Sequence, residues 1–367
     1  MREENIMKTV AFVNIKGGVA KTASVTSVAH ILATQYNKKV LMIDLDPQAN
    51  TTARFSNINV YERLERKLHG DIRSIDNSIS DLLLNRNMDV HDCIRKTVYQ
   101  NLDIIPSDLQ LGDVQDRIKA DVTVPPQFRL KGHIKKIESE YDYCIIDCAP
   151  SVSIANVNGL AVCDEAYIPT TTDGDSLEGV AYALDLIRTV KDYNDKLEIS
   201  GCFFTRWENQ GVPKMAYELL EEMVPGVLLP FKMYKSKLIG EGSYLNLPLL
   251  IADKKKTVSK LTTNYLHLTE FIMADNKEEY LKQYDEERNV YLTLEQIIGI
   301  EQTESEAEQE LQEDIKKNGI CEPITVVKQG KEYLLVDGKK RCKVQEKLIS
   351  DGIWDKYRPI PAKIAER

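Results

Sequence analysis

Six apolar runs of strand length, spaced by turns and segments of helical periodicity, leave this chain few ways to fold. They are TVAFVNI (9–15), KVLMIDL (39–45), LDIIPS (102–107), YDYCIIDCAP (141–150), EAYIPTT (165–171) and ISGCFFT (199–205). Their hydrophobicity is near-continuous, not alternating, which suits strands covered on both faces. Between them, residues 22–36 and 176–193 place apolar side chains at helical intervals. Strand, helix and strand in succession predict a doubly wound, mostly parallel α/β sheet. The pattern turns helical and polar at 257–274, so residues 1–275 read as one α/β domain and 276–287 as a linker or helix. Beyond them, ITVVKQGKEYLLVDGKKRCKVQEKL has the form of a hairpin with Gly330 in its turn, then a glycine turn at Gly338 and a helix. Residues 288–367 therefore read as a small α+β domain, and the acidic stretch 301–314 within them as a solvated face. Two domains suit 367 residues, more than one compact core ordinarily spans.

Charge and cysteine usage narrow the setting. The net charge of −9 means that any nucleic-acid contact must come from a local basic patch. The seven cysteines are scattered without a C-x-x-C pair, which reads as reduced thiols acting as small hydrophobes. No apolar run approaches the roughly 20 residues that span a bilayer, and MREENIMKTV lacks the apolar region of a signal peptide. The expected location is cytoplasmic, with no membrane partner.

The first strand runs into VNIKGGVAKTAS (13–24), a glycine loop that opens a helix. Gly17 and Gly18 let the backbone curl so that successive amide hydrogens face an anion, and the helix beginning near Lys21 adds its positive end. Lys21 supplies charge to the outer phosphates and Thr22 a hydroxyl to magnesium. The strict phosphate-loop pattern would place glycine where Ile15 and Ala20 stand. Ala20 is expected to take a helix-like conformation, which alanine tolerates. Asp44 and Asp46 follow the second strand and Asp147 ends a later one. In a doubly wound sheet the carboxyl ends of the strands form the ligand crevice, so these acids can converge on the loop. Asp46 precedes Pro47, which leaves a plain turn role open for it.

KGGVAKT (16–22) resembles the deviant Walker A motif of the ParA and MinD group of SIMIBI-class ATPases. MIDLDPQANTT (42–52) is similar to the acidic motif of that group, and IIDCAPS (145–151) to its Walker B strand. With SDLQLGD (107–113) and GEGSYLNLPLLIADKKK, the likeness to a ParA-type DNA-partition ATPase runs from about 7 to 274. It implies that Lys16 reaches across a nucleotide-sandwich homodimer to the partner's phosphates. Lys21 and Thr22 would hold phosphate and Mg2+ within the subunit, in a cradle completed by Gly17, Gly18, Val19, Ala20 and Ala23. Asp44 would orient the hydrolytic water and Asp147 act on magnesium, with the adenine of ATP near Thr205 and Pro230. ParA proteins bind DNA without sequence preference as ATP dimers, and a ParB-like centromere-binding partner stimulates hydrolysis. The matching basic patch would be Lys232, Lys235 and Lys237, with Lys254, Lys255 and Lys256 nearby and Arg188 as a further contact. Such an ATPase would be nucleoid-associated.

From about 290 to 365 the chain resembles the N-terminal domain of ParB and its sulfiredoxin-like relatives. The stretch Gly338, Lys339, Lys340, Arg341, Cys342, Lys343 matches the ParB phosphate motif, with Lys339 at its acidic position. Phosphate or CTP binding by Gly338, Lys340, Arg341 and Lys343, a docking role, and a reactive Cys342 thiol all stay open. So do a positioning switch for a protein cargo and a CTP- or ATP-responsive module centred on this segment.

Overall fold

The computed structural model describes residues 6–55, 68–69, 77–121, 125–208, 213–286, 288–300 and 309–365. Most of the acidic stretch, 301–308, lies outside them.

Strands β1 (Lys8–Phe12), β2 (Val40–Asp44), β3 (Arg95–Lys96), β4 (Leu102–Ile105), β5 (Tyr143–Asp147), β6 (Glu165–Thr170), β7 (Glu198–Trp207) and β8 (Met233–Tyr234) form one sheet. Their order is β3-β4-β2-β5-β1-β6-β7-β8, and only the edge pair β3–β4 is antiparallel. This is the mostly parallel sheet the apolar runs predict, with the short edge strands β3 and β8 added. The helices that matter below are α1 (Lys21–Thr34), α2 (Asn50–Phe55), α3 (Gly174–Lys191), α4 (Lys237–Leu245), α5 (Lys260–Met273), α6 (Gln309–Asn318) and α7 (Lys339–Ser350).

The runs are continuous because each strand serves two cores. Ala11, Leu41, Ile43, Cys144 and Ile146 pack with Val180, Leu184 and Ile187 of α3 on one face. Val10, Phe12, Val40, Met42 and Ile145 pack with Val25 and Ile31 of α1 and Leu261 and Leu268 of α5 on the other. Each large aliphatic buried this way contributes about 1.5–3 kcal/mol. The register then fixes the crevice: Asp147 pairs with Phe12 on one side and with Asp44 on the other, so three strands end level at one edge.

A second sheet joins β9 (Asn289–Leu292), β10 (Ile297–Ile298), β11 (Ile324–Gln329), β12 (Glu332–Asp337) and β13 (Ile360–Ile364) in the order β10-β12-β11-β13-β9. The β11–β12 hairpin turns through Gly330, φ 66°. This sheet has its own core around Ile324, Val326, Leu348 and Ile360. It also reaches the first core through Tyr291, which packs with the residues of α1 and α5. Arg358 donates to the carbonyl oxygens of Thr34 (2.8 Å) and Gln35, and Gln35 Nε2 donates to Pro359 O at 2.9 Å. Gly319 closes the contact: at φ +76°, a Cβ there would stand 2.5 Å from Gln35 O. No helix among the described residues is long and apolar enough to cross a membrane.

Candidate functional site

The loop after β1 is held from three sides. Asn14, fully buried, donates through Nδ2 to Pro169 O (2.9 Å), and its Oδ1 accepts the Lys16 backbone N–H (2.8 Å). Gly179 of α3 presses on the same point, where a Cβ would lie 2.4 Å from Asn14 Oδ1 and 2.9 Å from Lys16 Cβ. On the third side the Thr205 hydroxyl stands 3.1 Å from Val19 O. Gly18 sits at φ +82°, a conformation that needs glycine. Ala20 corrects the expectation of a helix-like residue: it is left-handed, φ 63° and ψ 27°. That conformation costs a residue with a Cβ about 1 kcal/mol or more, which explains glycine in the strict pattern. α1 has no side-chain N-cap and no acid in its first turn, so its first N–H groups remain for an anion.

Lys21 is 6% exposed, and its ammonium donates to Lys16 O at 2.8 Å. Burial lowers its pKa, opposed chiefly by Asp147 and also by Asp46. Thr22 Oγ1 (2.8 Å) and Thr51 Oγ1 (2.7 Å) both donate to Asp147 Oδ2. Asp147 Oδ1 is buried and has no hydrogen-bond partner among the described residues. Burial raises the Asp147 pKa against those two hydroxyls and Lys21. Lys16 stands apart from this buried group: 41% exposed, it reaches out to Asp175 Oδ2 (2.8 Å) at the start of α3.

Asp44 is placed differently from its expected use. Its Oδ1 accepts the Asp46 N–H (3.1 Å), and its Oδ2 accepts both the N–H and the hydroxyl of Thr52, each at 2.8 Å. Fully buried, with burial and then Asp147 pushing its pKa up, Asp44 is committed to fixing the start of α2. Asp46 does make the turn before Pro47, through Gln48 N–H on Oδ1 (2.9 Å). Its Oδ2 has no protein partner among the described residues, and the side chain lies within electrostatic range of Lys21 and Asp147. Asn14, Gly179, Thr51 and Thr52 do not stand out in the sequence; a glycine inside the helical stretch SLEGVAYAL and the NTT after the acidic motif are the available signals.

Pro230 is half-buried between Leu228, bridged to Cys202, and Met233, paired with Thr205, so it joins Thr205 at the carboxyl edge. Lys232 lies over the Trp207 ring at 4.9 Å and Lys235 pairs with Glu208, while Lys237 is exposed at the start of α4. Arg188 does not join them. It pairs with Asp185 near the end of α3, which has by then run back to the amino edge to feed β7. Lys254 is bound to Asp355 of the second unit at 2.6 Å.

At α7, Gly338 takes φ +100°, where a Cβ would meet Ile324 at 2.5 Å. Arg341 is held by Glu322 (3.0 Å) and Asp337 (2.9 Å), so its charge is already compensated. Lys340 and the half-buried Lys343 also have protein partners. Cys342 is fully buried and its thiol is pushed up to about 12 by burial, which removes the reactive-thiol alternative.

Comparison with known proteins identifies the family. Residues 7–199, more than half the chain, match the AAA domain family. The chromosome-partitioning ATPase Soj of Treponema pallidum is 32% identical over 220 residues, covering 59% of this chain and 77% of Soj. A ParA family protein of Chlamydia muridarum is 30% identical over 282 residues, covering 73% of this chain and all of that protein. A variant of McdA from Cyanothece, solved as an ATP complex, shares the fold with a TM-score of 0.61 at 19% identity, over 73% of this chain and 96% of McdA. The chain is therefore an ATP hydrolase and belongs to the ParA-type P-loop ATPases of the AAA domain family.

Proposed function

We propose that this ATPase partitions DNA by an ATP-gated homodimer. The observation that carries the reading is the division of labour between two lysines of one loop. Lys21 is buried beside Asp147, whereas Lys16 projects to the surface, where a second subunit can use it. One subunit neutralises only part of a triphosphate, so a lysine delivered in trans ties nucleotide binding to dimerisation. Val19 and Ala23 complete the cradle, and Thr205 and Pro230 border the adenine.

The residues fit Mg2+. Thr22 spends its hydrogen on Asp147 Oδ2, which leaves its oxygen lone pairs for a cation, and the orphaned Asp147 Oδ1 offers a buried acceptor for a metal-bound water. Held there by Thr22 and Asp147, Mg2+ would supply positive charge to the phosphate oxygens. With Asp44 fully buried and bonded at both oxygens to the start of α2, the water-orienting acid is Asp46, whose donor, the Gln48 N–H, sits on Oδ1. Lys232, Lys235 and Lys237 at the carboxyl edge form the DNA contact, and a ParB-like partner triggers hydrolysis. Residues 288–367 act as a ParB-like module that docks on the ATPase; the compensated Arg341 argues for docking over CTP binding.

Oligomeric state by light scattering tests the reading. The wild type is expected to be monomeric with ADP and dimeric with a non-hydrolysable ATP analogue, and Lys16→Ala monomeric in both. A wild type that stays monomeric with the analogue overturns the sandwich mechanism.

A further inference from the structure

A cavity of about 730 Å3 lies between the far half of α1 and the second unit, well away from the phosphate loop. Its volume is that of sites for drug-sized ligands, which usually combine an apolar wall with a few placed polar groups. Ala33, Leu250, Ile251 and Val258 supply the apolar wall, with the rings of Tyr99 and Trp354. The polar groups have unmet capacity. His30 is 1% exposed, and its Nε2 has no hydrogen-bond partner among the described residues. Burial holds this imidazole far below its usual range, to about 3, so it is neutral and can donate or accept one bond.

Charge supplies the second half of the argument. Arg358 stacks on Trp354, 3.7 Å from the ring centroid, and donates to the Thr34 and Gln35 carbonyls. Among the described residues no carboxylate pairs with its guanidinium, whose donations go to backbone carbonyls. Lys316 and Lys317 of α6 add exposed cations to the rim. Four acids share the lining: Asp355 holds Lys254, Asp253 accepts from Ser259 and Thr262, Asp314 accepts from Asn318, and Glu313 is exposed on the rim, so the anion is met on the Arg358 side.

We propose that this cavity is a binding site for a small planar-ring molecule carrying one anionic group, its ring against the apolar wall and His30, its anion toward Arg358, Lys316 and Lys317. A phosphate or a carboxylate would satisfy the cations equally, so the test separates them. Full-length protein with saturating ADP at the phosphate loop is titrated calorimetrically with phenyl phosphate, with benzoate and with inorganic phosphate. One ring-bearing probe is expected to bind once per chain, about ten-fold or more tighter than inorganic phosphate, the ratio that one well-buried ring supplies. The ring-bearing probe that binds identifies the anion. His30→Leu and the surface change Lys317→Glu are each expected to weaken it about ten-fold, the equivalent of one lost polar contact. Absence of binding by both ring-bearing probes at millimolar concentration, or binding that Lys317→Glu leaves unchanged, overturns the proposal. Lys317→Glu keeps the test decisive if His30→Leu fails to fold.

Discussion

Asp44 and Asp147 face each other across paired strands, and the protein holds both carboxyls above their ordinary range by burying them together. The sign of the consequence is definite. Between the unfolded carboxylate value near 4 and the raised folded values, the native state binds more protons than the unfolded chain. Stability therefore falls as pH rises through that window. The wild type should lose about 1 kcal/mol or more of urea stability between pH 6 and pH 8, since a ten-fold difference in proton affinity between folded and unfolded chain corresponds to about 1.4 kcal/mol. Asp44→Asn should flatten that slope. Asp46→Asn separates structure from chemistry: steady-state assays should show turnover reduced about 100-fold, as for loss of a proton-handling group, with nucleotide affinity within a few-fold of wild type. Comparable turnover in Asp46→Asn and wild type would return the water-orienting role to another group.

Among elements, the contact between α3 and the loop is the tightest tolerance in the site. Gly179→Ala must push Asn14 or Lys16 aside, because the new methyl overlaps the Asn14 oxygen and approaches Lys16 N at 3.2 Å. Overpacking of this kind costs about 1–3 kcal/mol, and fluorescence titration should show nucleotide affinity weakened about ten-fold or more. An unchanged affinity would mean that the loop is not set by α3. The strands and the convergence of Lys21, Thr22 and Asp147 are legible in the sequence because burial on two faces leaves continuous apolar runs and strand ends share one edge. The use of Asp44 is not legible, since MIDLDPQANTT carries two acids and only backbone geometry tells which one α2 consumes. Ala20 escapes for a related reason: sequence names the residue but not its φ. Arg188 has the look of part of a basic patch because spacing along α3 does not reveal that the helix returns to the opposite edge.

At the scale of the molecule, the two sheets are less separable than the hairpin-and-helix pattern after 288 suggests. Tyr291 lies in the core of the first unit, where its hydroxyl stands 3.3 Å from that of Tyr36, which in turn donates to Glu270 at 3.0 Å. A chain ending at 287 loses this ring and the Arg358 contacts. It should unfold at a lower urea concentration, by about 3 kcal/mol, the cost of removing one large buried ring. An unchanged midpoint would show that the docking contacts carry no stability. The same contacts give α1 a mechanical character. Its 14 residues make a rod about 21 Å long, seated at one end in the phosphate loop and pinned at the other by Arg358 and Gln35. A helix held at both ends couples what holds it, so a shift of the loop on gripping or releasing phosphate would be felt at the second sheet.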